Sequence, residues 1–252
     1  MTTLLRHRWL VLAASLAALL AGCSGGAGGK AASSGTQTAA SAPTSSPSPM
    51  ASASPARFTT RIDNPWMPWV PGTRWVFRGR FGTERTVVTV THHTKVVDGV
   101  RTVVVHDVVY RNGAVLEDTH DWYAQDRAGN VWYFGEDTKE FSGGHADPSG
   151  SWEAGVDGAR AGIVMLAHPA PGDAYQQEHY KGKAEDQAQV VRVGASATVP
   201  YGHMSGLVVT RDFTRLEPSA AEHKYYAKGV GVVLEVGVHH GRNELVSKTG
   251  PA

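Results

Sequence analysis

The fold is decided by residues 84–141, which read ERTVVTVTHHTKVVDGVRTVVVHDVVYRNGAVLEDTHDWYAQDRAGNVWYFGEDTKEF. Val, Thr, Tyr, Trp and Phe dominate this stretch, and β-branched and aromatic side chains favour strands. Short groups of turn residues divide the stretch into four segments. We therefore predict four strands, over Glu84–Val97, Arg101–Tyr110, Ala114–Gln125 and Asn130–Phe141.

The connections between these strands predict how they pair. Asp98-Gly99 and Asn112-Gly113 suit the two-residue type I′ turn, which needs positive φ at both central positions. Asp126–Gly129 fits a type I turn that ends with Gly129 in the left-handed region. Strands joined in this way form an antiparallel meander.

The remainder of residues 57–252 also indicates strands. None of its segments shows sustained helical periodicity, apart from a short turn near Pro218–Ala221. Further strands are predicted over Thr73–Arg80, Gly172–Tyr180, Ala184–Val193, Leu207–Leu216, Glu222–Ala227, Val230–Val238 and Asn243–Lys248. A sheet this extended must close or stack to cover its edges and faces. We predict a mainly β, single-domain fold, as an open or partly closed β-barrel or, alternatively, a two-sheet β-sandwich.

The first 56 residues have a different composition. Arg6 and Arg8 precede an apolar stretch that is too short to span a bilayer, which is the layout of a signal peptide over residues 1–22. The stretch ends in Leu20-Ala21-Gly22-Cys23, which resembles the lipobox of bacterial lipoproteins. The resemblance implies that Cys23 is lipidated and anchors the chain to the cell membrane, on its outer side. Residues 23–56 are mostly Ala, Ser, Gly, Thr and Pro, which predicts a disordered tether.

Charge and cysteine content exclude two kinds of protein. The 24 Lys and Arg residues almost balance 23 Asp and Glu residues, and no Lys/Arg run is present, so a nucleic-acid-binding function is rejected. Cys23 is the only cysteine. A mature chain with a lipidated Cys23 has no internal disulfide, and its fold must rest on its hydrophobic core.

Polar and aromatic side chains concentrate between Glu117 and Glu140. Alternation along a strand places Asp118, His120 and Trp122 on one face of the sheet. By the same rule Trp132, Phe134 and Glu136 share a face. The candidate ligand-binding residues are Asp118, Asp121, Trp122, Tyr123, Asp126, Trp132, Glu136, Asp137, Trp152 and Glu153.

Three interpretations of this group remain open. In the first, the aromatic side chains belong to the core and the carboxylates line the rim of the sheet. In the second, the rings stack on a glycan while the acids bind its hydroxyl groups. In the third, the carboxylates hold Ca²⁺, which takes six to eight oxygen ligands, although no EF-hand loop is present. Trp152 and Glu153 either reach the same site or belong to a long ordered loop.

Other chemistry has little support in the sequence. Neighbouring residues of a strand point to opposite faces, so neither His92-His93 nor His239-His240 is expected to chelate one ion. There is no Gly-x-Ser-x-Gly motif, no zinc-ligand spacing and no phosphate-binding loop. No catalytic residue is assigned. A pair of carboxylates from 117–140 is the alternative that would make the protein a hydrolase of envelope glycans.

Residues 117–138 contain the pattern EDTHDWYAQD…GNVWYFGEDT. This pattern, with Gly150–Ala159 and Glu222–Gly231, resembles a signature of uncharacterised secreted bacterial proteins. The resemblance implies no activity. We therefore expect an extracytoplasmic, lipid-anchored protein that binds a glycan, a lipid or a cation without catalysis. A hydrolase and a structural role in envelope assembly are the alternatives.

Overall fold

The computed structural model describes residues 57–79, 82–237 and 241–251. The predicted signal peptide, Cys23 and the tether over residues 23–56 lie outside these residues, as does the His239-His240 pair. Among the described residues, no helix has the length and apolar composition needed to span a membrane.

In the described residues, sixteen strands make up almost all of the regular structure, together with a 3₁₀ turn over Pro218–Ala220. Their bounds are β1 Phe58–Thr59, β2 Arg74–Gly79, β3 Glu84–Val97, β4 Val100–Arg111, β5 Ala114–Asp126, β6 Val131–Ser142, β7 His145–Asp147, β8 Trp152–Glu153, β9 Arg160–Met165, β10 Ala174–Gln176, β11 Glu178–His179, β12 Gln187–Val199, β13 Gly202–Phe213, β14 Glu222–Ala227, β15 Gly231–Gly237 and β16 Gly241–Thr249.

The predicted meander is confirmed, and so are its turns. Strands β3 to β6 pair in sequence order and antiparallel. Asp98 and Asn112 have positive φ angles of 48° and 51°, and the glycine that follows each of them also has a positive φ. Gly129 has a φ of 89° and donates its N–H to the Asp126 carbonyl at 3.0 Å. These turns fix which residues face one another at the end of each hairpin.

The strands form a nearly closed barrel, so the barrel prediction is confirmed over the sandwich. Thirteen strands follow one another in the order β10-β12-β13-β14-β15-β16-β2-β3-β4-β5-β6-β9-β11. Because β10 and β11 are separated by Gln177 alone, the chain itself joins the two ends of this order. The ladder is interrupted there, and this interruption is the seam of the barrel.

The seam depends on a close approach of two backbone segments. A Cβ atom on Gly162 of β9 would lie 2.3 Å from the carbonyl oxygen of Gln177. Glycine is therefore required at residue 162. On the other side, the Gln177 N–H donates to the Asp186 carbonyl at 2.7 Å.

The second half of the chain differs from prediction in several places. The predicted strand Gly172–Tyr180 is two short strands, β10 and β11, and the strand predicted from Leu207 begins at Gly202. Strand β9 was not predicted. Its six residues are RAGIVM, with Ile163-Val164 as the only β-branched pair, so it lacks the longer β-branched run that identifies a strand. Strand β12 continues to Val199, beyond the predicted end at Val193. It does so through irregular pairing on both sides of Ala195.

Aromatic side chains form part of the hydrophobic core. Trp69 contacts Trp75 edge to face at 5.2 Å between ring centroids and Tyr123 at 5.6 Å. Tyr123 stacks on Tyr133 at 5.0 Å, and Tyr133 contacts Trp152 at 5.4 Å. Offset and edge-to-face packing of this kind adds to the stabilisation from burial. The polar side chains described next lie beside these rings.

Candidate functional site

The ten predicted ligand-binding residues lie in four places. Asp121, Tyr123, Glu136 and Trp152 belong to a buried group around Tyr133. Asp118 and Asp137 lie on the opposite face of the same strands. Asp126 lies at the β5–β6 turn and accepts a hydrogen bond from Trp132. Trp122 and Glu153 both contact Lys95. The structure therefore does not bring all ten residues together.

The buried group is built by facing positions on β5 and β6. Asp121 pairs with Glu136, and both are about 1–2% exposed. The Tyr133 hydroxyl donates to Asp121 Oδ1 at 2.8 Å. Neither carboxylate oxygen of Glu136 receives a hydrogen bond. One acid of the pair is thus held by Tyr133, and the other has no donor.

A β-bulge turns Glu136 toward this group. Asp121 faces Glu136 and Tyr123 faces Tyr133, so β6 contains one more residue than β5 between these pairs. The alternation rule placed Glu136 on the face of Trp132 and Phe134, and this prediction is wrong. Trp132 and Phe134 instead pack against Phe58. At the bulge Gly135 has a φ of 122°, and a Cβ there would lie 2.2 Å from the Trp152 carbonyl oxygen.

The carboxyl groups of this buried group have raised pKa values. Burial raises the pKa of Asp121 to about 7, although the hydrogen bond from Tyr133 opposes the shift. Burial, then the charges of Asp121 and Glu178, raise the pKa of Glu136 well above its ordinary value. Asp107 on β4 behaves in the same way, because burial and then Asp121 raise its pKa. None of the charged groups that act on these three acids is a cation.

A second set of buried charges lies on β13, β14 and β15, and it does contain a cation. Lys224 Nζ is 3.3 Å from Asp212 Oδ2 and 3.2 Å from Glu222 Oε1. Burial on its own lowers the pKa of Lys224, but Asp212 and then Glu222 outweigh it, so the pKa is raised well above its ordinary value. Glu235 pairs with Lys224 across the strands and accepts from Asn243 Nδ2 at 2.9 Å. We call these four charged residues the Lys224 cluster, and Asp107, Asp121 and Glu136 the Asp121 cluster.

The seam of the barrel opens into a groove of 330 Å³. The groove is lined by charged and polar side chains, among them Arg160, Glu178, Lys181, Glu185 and Arg215. Glu178 is fully buried and is also one of the groups that raise the pKa of Glu136. It therefore links the groove electrostatically to the Asp121 cluster.

The opposite face of β4 and β5 carries two histidines and an aspartate. His106 and His120 face each other, and their rings stack at 4.3 Å with an angle of 10° between the planes. His106 Nε2 lies 3.0 Å from Asp118 Oδ1. Burial, then the neighbouring His106, lowers the pKa of His120. Among the residues that the structure describes, these three form the group whose ligand atoms lie close enough for one metal ion.

The remaining predicted residues make local contacts. Asp126 accepts hydrogen bonds from the Asn130 N–H at 2.9 Å and from Trp132 Nε1 at 2.8 Å, which fastens the β5–β6 turn. The Lys95 ammonium lies 3.3 Å above the Trp122 ring and 2.7 Å from Glu153 Oε2. Trp122 and Glu153 are therefore joined to each other through Lys95, on the face opposite to Asp121.

Sequence reasoning missed several residues of these groups. Asp107 interrupts a run of valines, which was an available signal of a buried acid. Lys224 and Asp212 gave no such signal, because single charges in a strand are usually exposed. Glu178 lies within the predicted strand Gly172–Tyr180, but its position at the seam depends on how the barrel closes.

The comparisons with known proteins give limited information. No protein-family model matches the chain, and no curated protein is significantly similar to it. A proposed exported protein with a YmcC-like fold from Bacteroides fragilis shares 15% identity, with a TM-score of 0.43. A proposed lipoprotein from Parabacteroides distasonis shares 11% identity, with a TM-score of 0.42. Each similarity covers 73% of this chain and 98% of the other protein. At such identities and TM-scores neither similarity assigns a family or an activity to the chain.

Proposed function

We propose that the protein is an extracytoplasmic module, anchored through lipidated Cys23, that binds a glycan in the groove at the barrel seam. The observation that carries the proposal is the groove itself. It has the size of a small-molecule site, and its lining combines hydrogen-bond donors with acceptors. Sugar hydroxyl groups both donate and accept hydrogen bonds, so they match such a lining.

The residues of the groove have complementary roles in this proposal. Arg160 and Arg215 donate to hydroxyl or carboxylate oxygens of the ligand, and the half-buried Glu185 accepts from hydroxyl groups. Tyr180 supplies a ring on which a sugar can stack.

The experiment is binding of the full-length protein, in detergent micelles, to an array of envelope oligosaccharides. We expect binding that weakens about tenfold in Arg160→Gln, because a hydrogen bond to a charged group contributes about 1.5–3 kcal/mol. Glu185→Gln should also weaken it. The matched control is Arg101→Gln, since Arg101 is exposed on β4 and lies outside the groove. An array without binding, or equal binding by all variants, would contradict the proposal.

The anchoring part of the proposal has its own test. Metabolic labelling with a fatty acid should mark the wild-type chain and not Cys23→Ala. The variant should also leave the membrane fraction, since removal of the acyl chains removes the anchor. Equal labelling of the two proteins would contradict lipidation of Cys23, and would leave the groove proposal untouched.

A hydrolase is the second candidate function, and one observation favours it. Asp121 and Glu136 face each other on adjacent strands, and both have raised pKa values, as general acids need. Chromogenic glycosides test this candidate. Turnover that Glu136→Gln abolishes and Glu140→Gln retains would favour the hydrolase. Absence of turnover would leave the binding module.

A further inference from the structure

The outer face of the barrel carries the ligands of a metal site that is separate from the seam groove. His106 lies on β4, and Asp118 and His120 lie two residues apart on β5. The three side chains are 35%, 40% and 46% exposed, so an ion from solution reaches all of them. They lie on the face of the sheet opposite to Asp121, because Asp121 follows His120 in the strand.

The distances between the ligand atoms suit one small cation. Asp118 Oδ1 lies 3.0 Å from His106 Nε2 and 3.8 Å from His120 Nδ1. All three ligand atoms lie within 4.8 Å of one another. Ligands about 2.0–2.2 Å from a tetrahedral Zn²⁺ are separated by about 3.3–3.6 Å. Small rotations of the two imidazole rings, which now stack in parallel, bring the nitrogen atoms to that separation.

The chemistry of the ligands selects the class of metal. Two imidazole nitrogens and one carboxylate oxygen suit Zn²⁺ and its neighbours Cu²⁺ and Ni²⁺, whereas Ca²⁺ takes six or more oxygen ligands. Two further groups lie next to the site on β6. Asp137 faces His120 and adds negative charge, and Lys139 faces Asp118 and adds positive charge. The net charge of the site with its neighbours therefore remains favourable for a cation.

We propose that His106, Asp118 and His120 bind one Zn²⁺ on the outer surface of the barrel. With three protein ligands, the fourth position stays open to water or to a ligand from a partner molecule. The proposal does not depend on the proposed glycan binding, since no residue of the groove takes part in it.

The test is titration of the untagged full-length protein, in detergent micelles, with Zn²⁺ by isothermal calorimetry. We expect one high-affinity ion per chain and no competition by an excess of Ca²⁺. His106→Ala and His120→Ala should each weaken binding by at least about tenfold, as loss of a metal ligand does. His203→Ala is the control, because His203 bonds to Thr198 within another hairpin. Arg160→Gln should bind Zn²⁺ like the wild type.

A spectroscopic measurement tests the same site without relying on the heats of Zn²⁺ binding. Cu²⁺ bound in place of Zn²⁺ should show coordination by two imidazole nitrogens in its electron paramagnetic resonance spectrum, and by one in His120→Ala. No binding at micromolar Zn²⁺ would overturn the proposal. Equal binding by the double variant His106→Ala/His120→Ala would overturn it as well, because the ion would then lie at other histidines of the chain.

Discussion

The Lys224 cluster and the Asp121 cluster each place three acids in the same barrel, but only the first contains a cation. In the first, an ammonium group lies within 3.3 Å of two carboxylates. In the second, the charged groups that act on Asp107, Asp121 and Glu136 are all acids. The first cluster is neutralised partly by its own ammonium group, and burial also raises the pKa of Glu222, to about 8, and the pKa of Glu235. The second contains no cation, and its acids are neutralised by protons alone.

This difference separates a structural role from a functional one. A buried ion pair with good geometry roughly offsets its own desolvation, so Lys224 offsets part of the charge of the first cluster. Buried acids that repel one another destabilise the fold whenever they ionise. Strongly perturbed acids often mark binding and catalytic sites. Because the charges that act on Asp107 and Glu136 are acidic, a bound cation or donor would affect the Asp121 cluster more than the Lys224 cluster.

The largest effect is expected when the Lys224 cluster loses its cation. Lys224→Met leaves Asp212 and Glu222 buried without a counter-ion, so the free energy of unfolding should fall by about 3–5 kcal/mol. Denaturation by urea at neutral pH measures this change. Lys139→Met is the control, because Lys139 is exposed and should shift stability by less than about 0.5 kcal/mol. Equal losses in the two variants would remove the distinction between the clusters.

The next effect concerns the bulge that holds Glu136 in the Asp121 cluster. Gly135→Ala introduces a Cβ only 2.2 Å from the Trp152 carbonyl oxygen, at a φ that disfavours alanine. Backbone strain and overpacking together should lower the free energy of unfolding by about 3 kcal/mol. Gly113→Ala is the matched control. It also has a positive φ, of 85°, but nothing lies within 4 Å of its Cβ position, and the variant should lose only about 1 kcal/mol.

Denaturation curves of the two glycine variants, measured side by side, separate contact from strain. A loss in Gly135→Ala no larger than that in Gly113→Ala would mean that β8 moves away from the bulge without penalty. Glu136 would then not be held in place by the bulge, and its position in the Asp121 cluster would be adjustable.

The bulges also mark the limit of what the sequence could predict. Asp98-Gly99 and Asn112-Gly113 encode their turns locally, so strands β3 to β6 and their pairing order followed from the residues alone. Between the pairs Val109–Glu117 and Tyr110–Val115, however, β5 contains one unpaired residue. No turn or glycine signals this bulge, and a shift of one residue moves every later side chain to the other face of the sheet.

The candidate sites depend on these shifts. Continuing the register set by Asn112-Gly113 would place His106 opposite Thr119, and His120 on the other face of the sheet. The bulge places His106 opposite His120 instead. The seam groove depends on the closure of the barrel, which brings β9 and β10 together across the eight residues 166–173. The positions of single strands were therefore predictable, and the neighbours of their side chains were not.

The smallest effect tests the protons of the Asp121 cluster. The pKa of Asp121 is about 3.9 in the unfolded chain and about 7 in the folded protein. Between these values the unfolded state loses its proton while the folded state keeps it, so the free energy of unfolding falls as the pH rises through this window.

Asp121→Asn removes this contribution but keeps an acceptor for the Tyr133 hydroxyl. Because Glu136 takes up part of the shared repulsion, we expect a gain of about 2 kcal/mol above pH 7, out of the roughly 4 kcal/mol that the full shift represents. Urea denaturation from pH 4 to pH 8 measures the slope, with exposed Asp137→Asn as the control. Parallel profiles for Asp121→Asn and the wild type would mean that Asp121 ionises at its ordinary pKa, and the contrast with the Lys224 cluster would disappear.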